Sequence, residues 1–222
     1  MKIGFYGHSN CACESAGSFI NDIAASLNAE IVNIGVRQGS EERILFELKK
    51  TKEIDLAVIF HSYPHFLFLP GCDRDYAINN LEQLRMEYLF HIWNNEVNQH
   101  TKFKDKFKDT ETFKSVILKY KGYLYDSDLH LNRYYGALIQ IDQYLITKQI
   151  KTIHIPNKAT PHWFKFSSGL IAPEINNIIA RYATVNGKWF ANGLTREGNI
   201  LLADRLLKLV ETMRFEPTSS IK

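Results

Sequence analysis

Lys2-Ile3-Gly4-Phe5-Tyr6-Gly7-His8-Ser9-Asn10 reads as a strand that breaks at Gly7 and presents Ser9 at the tip of a turn. Ala16, Phe19, Ile20, Ile23, Ala24 and Leu27 then recur at helical spacing. A strand that runs into Gly-x-Ser and a helix brings a hydroxyl to the C-terminal edge of an α/β sheet. Open parallel sheets bind their ligands at that edge. On local chemistry alone the same residues make a tight turn, with Gly7 supplying backbone freedom and Ser9 capping the helix side. The place of this turn, after the first strand of an alternating pattern, favours a site.

That pattern unfolds downstream. Glu30 to Gly35 is a second short strand, Gly35 and Gly39 bracket a loop, and Ser40 caps a helix that buries Ile44, Leu45 and Leu48. Ile54 to Phe60 is almost continuously apolar, as expected of a central parallel strand covered on both faces. It ends in the polar loop His61-Ser62-Tyr63-Pro64-His65. The alternation predicts an α/β fold, a three-layer, flavodoxin-like parallel sheet.

The middle of the chain leaves this rhythm, and a helical insertion is expected over about residues 74–150 within one domain of 222 residues. Helices are marked there by Leu81, Leu84, Tyr88 and Ile92, and by Leu131, Tyr134, Tyr135, Leu138 and Leu145. Between them, residues 101–121 carry seven lysines against three acids, interleaved with Phe103, Phe107 and Phe113. Such a run reads as the solvated face of a helix rather than a grip on nucleic acid. The alternation resumes with Lys151 to Pro156, a fourth strand whose exit loop holds Thr160-Pro161-His162-Trp163-Phe164. A final helix from Thr195, with Glu197 in its first turn, buries Leu201, Leu206 and Val210, and residues 216–222 form a frayed tail.

Composition bounds the partners. Apolar residues make up 45% and charged residues 23%, and the net charge of +3 makes no global case for nucleic acid. No segment approaches the length needed to span a bilayer and none reads as a signal peptide, so a cytoplasmic protein without a membrane partner is expected. Three cysteines suit reduced thiols better than a disulfide framework. Cys11, Cys13 and Cys72, together with His8, His61 and His65, would suit zinc in principle. The Cys-x-Cys spacing is tighter than the usual metal pair, and the expectation is small buried thiols with no resident metal or cofactor.

The motifs resemble those of the SGNH (GDSL-type) hydrolases. Gly7-His8-Ser9 matches the block around the nucleophilic serine, with His8 in place of the usual aspartate. The run from Asn33-Ile34-Gly35 to Gly39-Ser40 looks like the second block, whose glycine N–H joins the oxyanion hole, here Gly39. Phe60-His61-Ser62 stands where the third block has Gly-x-Asn, so Ser62 takes the asparagine's place. Asn192-Gly193-Leu194-Thr195-Arg196-Glu197-Gly198 resembles the His-Leu-Thr-x-Glu-Gly ending of the last block. In that alignment Gly193 occupies the histidine position and Phe190 the aspartate position.

The resemblance implies hydrolysis of an acyl ester, for instance on a carbohydrate, with Ser9 as nucleophile and Ser9, Gly39 and Ser62 as oxyanion donors. The usual base is missing, and His162 is the candidate replacement. His8, Asn10, His61 and His65 are the candidate binding residues around a small-molecule ester or carbohydrate ligand. A protein that keeps the pocket and only binds a ligand is the competing expectation.

Overall fold

The computed structural model describes residues 1–7, 11, 17–35, 39–64, 66–67, 76–77, 115, 119, 123–124, 126–183 and 194–215. Its framework is a five-stranded sheet in the order β2-β1-β3-β6-β7. The strands are β1 (Lys2–Gly7), β2 (Glu30–Asn33), β3 (Leu56–Phe60), β6 (Lys151–Ile155) and β7 (Leu170–Ile171). All four pairings are parallel. A separate antiparallel pair joins β4 (Phe66–Leu67) and β5 (Tyr76–Ala77). The helices bounded within the described residues are α1 (Phe19–Leu27), α2 (Glu41–Lys50), α3 (Ser127–Lys148), α4 (Ile175–Tyr182) and α5 (Arg196–Phe215).

Strand alternation splits the core in two. Ile3 and Phe5 of β1, Leu56, Val58 and Phe60 of β3 and Ile153 and Ile155 of β6 pack against α1, α4 and α5. Tyr6, Ala57 and Ile59 point to the other face, where Ile44, Leu45 and Leu48 of α2 and Ile141 and Leu145 of α3 cover them. β1 and β3 are therefore apolar on both faces, the condition for a parallel sheet between two helical layers, while β6 turns Thr152 and His154 to the second face. The three-layer α/β fold expected from the alternation is the one observed. Among the described residues, no helix is long and apolar enough to cross a membrane.

Local chemistry sets several boundaries. Ser40 caps α2 by accepting the Arg43 N–H at 3.2 Å. β2 stops at Asn33 instead of reaching Gly35, because the Asn33 side-chain amide donates to the Phe5 carbonyl at 2.9 Å where strand pairing would continue. Thr195 precedes α5 and its hydroxyl accepts the Gly198 N–H at 3.1 Å. Leu201 is exposed rather than buried; Leu202, Leu206 and Val210 form the covered stripe, and Leu201 lies one residue round the helix from it. Most of the expected insertion and the tail over residues 216–222 lie outside the described residues. α3, which closes that region, packs on α2 and supplies core to the sheet.

Candidate functional site

Three parallel strands end level with one another: Gly7 pairs with Phe60, and Phe60 with Ile155. Their exit loops therefore leave from one line at the C-terminal edge. Gly7 has φ +133°, and a Cβ there would run into the Phe60 carbonyl oxygen, so only glycine lets β1 turn while lying against β3. The β2 exit is equally close. A Cβ on Gly35 would meet Cys11 Sγ and come within 2.9 Å of the Gly7 carbonyl oxygen. His8, Ser9 and Asn10 lie outside the described residues, as do His65, Phe190 and Gly193. Gly39 is buried immediately before the Ser40 cap.

The end of the last sequence block reaches the first helix. Asn199 is fully buried, accepts the Phe19 N–H at 3.1 Å and donates to the Thr195 carbonyl at 3.0 Å. It satisfies an N–H of the first turn of α1 that Ser18 does not cap. The start of α5 is thus fastened to the start of α1.

The β3 exit turns inward. His61 and Ser62 are buried, and Asn157, just past β6, donates its side-chain amide to both of their carbonyls. The Asn157 Oδ1 accepts the Ala159 and Thr160 N–H groups at 2.6 and 3.2 Å, so one residue fixes two exit loops. Ser62 donates its backbone N–H to Glu41 Oε1 at 2.5 Å, while its hydroxyl has no hydrogen-bond partner among the described residues.

His61 opens a buried polar chain. Its Nδ1 lies 3.2 Å from Glu41 Oε2 at the N-terminus of α2, and its Nε2 lies 2.9 Å from His154 Nδ1. His154 Nε2 faces the Ser168 carbonyl and hydroxyl oxygens, each at 3.0 Å. The Ser168 hydroxyl donates to Asp142 Oδ1 on α3 at 2.5 Å. Phe166 stacks on both imidazoles, with ring centroids 4.5 and 4.0 Å away. Burial, and then the neighbouring His61, hold His154 well below the ordinary imidazole range, against the opposing pull of the Ser168 carbonyl. The sequence makes His61 a candidate binding residue. Its two ring nitrogens are instead engaged within the protein, because a buried imidazole needs partners and Glu41 and His154 supply them.

Sequence reasoning missed Glu41, Asp142, His154, Asn157 and Ser168. One signal was legible: a histidine at a core position of the apolar strand Thr152-Ile153-His154-Ile155 requires a buried partner. His162 is exposed on the turn closed by the Phe164 N–H to Pro161 carbonyl bond. Cys11 is buried, which pushes its thiol up and away from the thiolate that zinc requires. Cys13 and Cys72 fall outside the described residues.

No family model and no curated protein matches the chain. Two solved structures are similar to it. The crystal structure of TesA has 10% identity and a TM-score of 0.49, over 96% of this chain and 99% of that one. The crystal structure of the acetyl xylan esterase AlAXEase has 14% identity and a TM-score of 0.37, over 95% and 100%.

Proposed function

We propose that the chain is an SGNH-like serine hydrolase of an acyl ester, for instance one on a carbohydrate, with Ser9 as the nucleophile. The observation that carries this reading is the β1 exit. Gly7 is locked against the Phe60 carbonyl two residues before Ser9, at the edge where three strands end together. The tie from Asn199 to Phe19 supports it further, since it brings the last sequence block to the start of the first helix.

In the proposed mechanism the Ser9 hydroxyl attacks the ester carbonyl. The developing oxyanion is held by the Ser9 and Gly39 backbone N–H groups and by the Ser62 hydroxyl, the donor in the asparagine's place. The ester C–O bond then breaks and the alcohol leaves with the proton given up by Ser9; water hydrolyses the acyl-serine, releasing the carboxylic acid and restoring the Ser9 hydroxyl. With Gly193 in the histidine's place, the serine lacks its usual base, and the reaction runs on positioning and oxyanion donors. A chain that only binds its ligand is the alternative that complete inertness would favour.

The test is labelling with an aryl fluorophosphonate followed by mass spectrometry of the peptides. An adduct on Ser9, absent from Ser9→Ala, is expected. A protein that stays unlabelled, or is labelled only at another serine, would defeat the assignment.

A further inference from the structure

With Asp142 and Glu41 as carboxylates, every hydrogen bond between them has a fixed direction except one. The Ser168 hydroxyl gives its only proton to Asp142, which also accepts the Ser167 and Ser168 N–H groups. Both Ser168 oxygens facing His154 Nε2 are therefore acceptors, and Nε2 carries a hydrogen. At the other end Glu41 accepts the Ser62 N–H and, as a carboxylate, can only accept from His61 Nδ1, so that nitrogen carries a hydrogen too. Were both imidazoles neutral, His61 Nε2 and His154 Nδ1 would oppose two lone pairs at 2.9 Å with no proton between them.

We propose that Glu41, His61 and His154 hold one proton beyond those of two neutral imidazoles, shared between His61 Nε2 and His154 Nδ1, and that it makes this chain a protonation-dependent clamp beneath the Ser62 loop. The arrangement is an imidazolium at His61, a carboxylate at Glu41 and a neutral His154. The unit is neutral overall, the state that burial favours. The lowered proton affinity of His154 agrees with its being the neutral partner. Other titratable groups on the elements around it are Tyr6 on β1, Arg43 on α2, and His130, Tyr134 and Asp142 on α3. The clamp ties α2 to β3 and β6 in one stroke and stands on these distances whether or not Ser9 is a nucleophile.

The pH dependence follows from counting protons. In the unfolded chain the two imidazoles carry two protons in acid and none well above about pH 6.5, whereas the folded pair keeps one. Unfolding takes up a proton on the acid side and releases one on the alkaline side. The folding constant therefore peaks near about pH 6.5 and falls by up to about tenfold per pH unit in either direction.

Two-bond proton–nitrogen NMR of the full chain with labelled histidine reads the count directly. Between about pH 6 and pH 8 the wild-type pair should show three ring N–H groups, both on His61 and only Nε2–H on His154. In Glu41→Gln the amide oxygen keeps the Ser62 N–H and the amide nitrogen donates to His61 Nδ1. His61 Nε2–H then donates to His154, two ring N–H groups suffice, and the alkaline fall in stability disappears. Two ring N–H groups in the wild-type pair would overturn the proposal, as would an alkaline fall that persists in Glu41→Gln. The wild-type count decides alone if that variant does not fold.

Discussion

Glu41→Ala should lower the stability of the protein by about 3–5 kcal/mol, read as a shift of the urea midpoint at unchanged slope. The carboxylate is fully buried with His61, so its removal leaves His61 Nδ1 and the Ser62 N–H without their buried partner. Glu41→Gln restores both hydrogen bonds and should recover most of the loss. Glutamine keeps the size of the carboxylate, so the part of the alanine loss that exceeds a small cavity measures the two hydrogen bonds. Equal midpoints for Glu41→Ala and wild type would show that the chain beneath the β3 exit carries no weight.

Gly7→Ala should cost about 3 kcal/mol, combining backbone strain with displacement of β1 from β3. Its φ of +133° is one that side-chain-bearing residues rarely adopt, and the added methyl has the Phe60 carbonyl in its way. Gly136 is the internal control. It sits within α3, and a Cβ there meets nothing within 4 Å, so Gly136→Ala should raise stability by about 0.5–1 kcal/mol. Opposite signs at the two glycines are the expected result of thermal or urea unfolding. A neutral Gly7→Ala would mean that the β1 exit is not locked as described.

The sheet was legible because its strands announce themselves. Leu56 to Phe60 is apolar at every position, and such a run is compatible only with cover on both faces. Ser40, three residues before the Arg43 N–H it accepts, marked the start of α2 for the same local reason. β7 was not legible: two residues cannot display a period, and Gly169 before it has φ +113° and is pressed against the Thr152 carbonyl. α4 gave no start signal either, since Glu174 makes no side-chain cap and Ile175 is its only buried residue. The polar chain was hidden for a different reason. Glu41, Asp142, His154 and Ser168 are far apart in sequence and meet only when α2 and α3 close over β3 and β6. In the sequence Glu41 looks like a first-turn acid that favours the helix dipole, a role that needs no partner across the sheet.

Turnover of a simple aryl ester, measured side by side for wild type, Ser9→Ala and His162→Ala, tests the proposed hydrolase most directly. Oxyanion donors and binding without a base leave roughly 10³- to 10⁴-fold over water. Slow turnover of that order in wild type, lost in Ser9→Ala and little changed in His162→Ala, is the result expected. A rate that survives Ser9→Ala would contradict the account, and a fast rate abolished by His162→Ala would replace the missing base with that histidine.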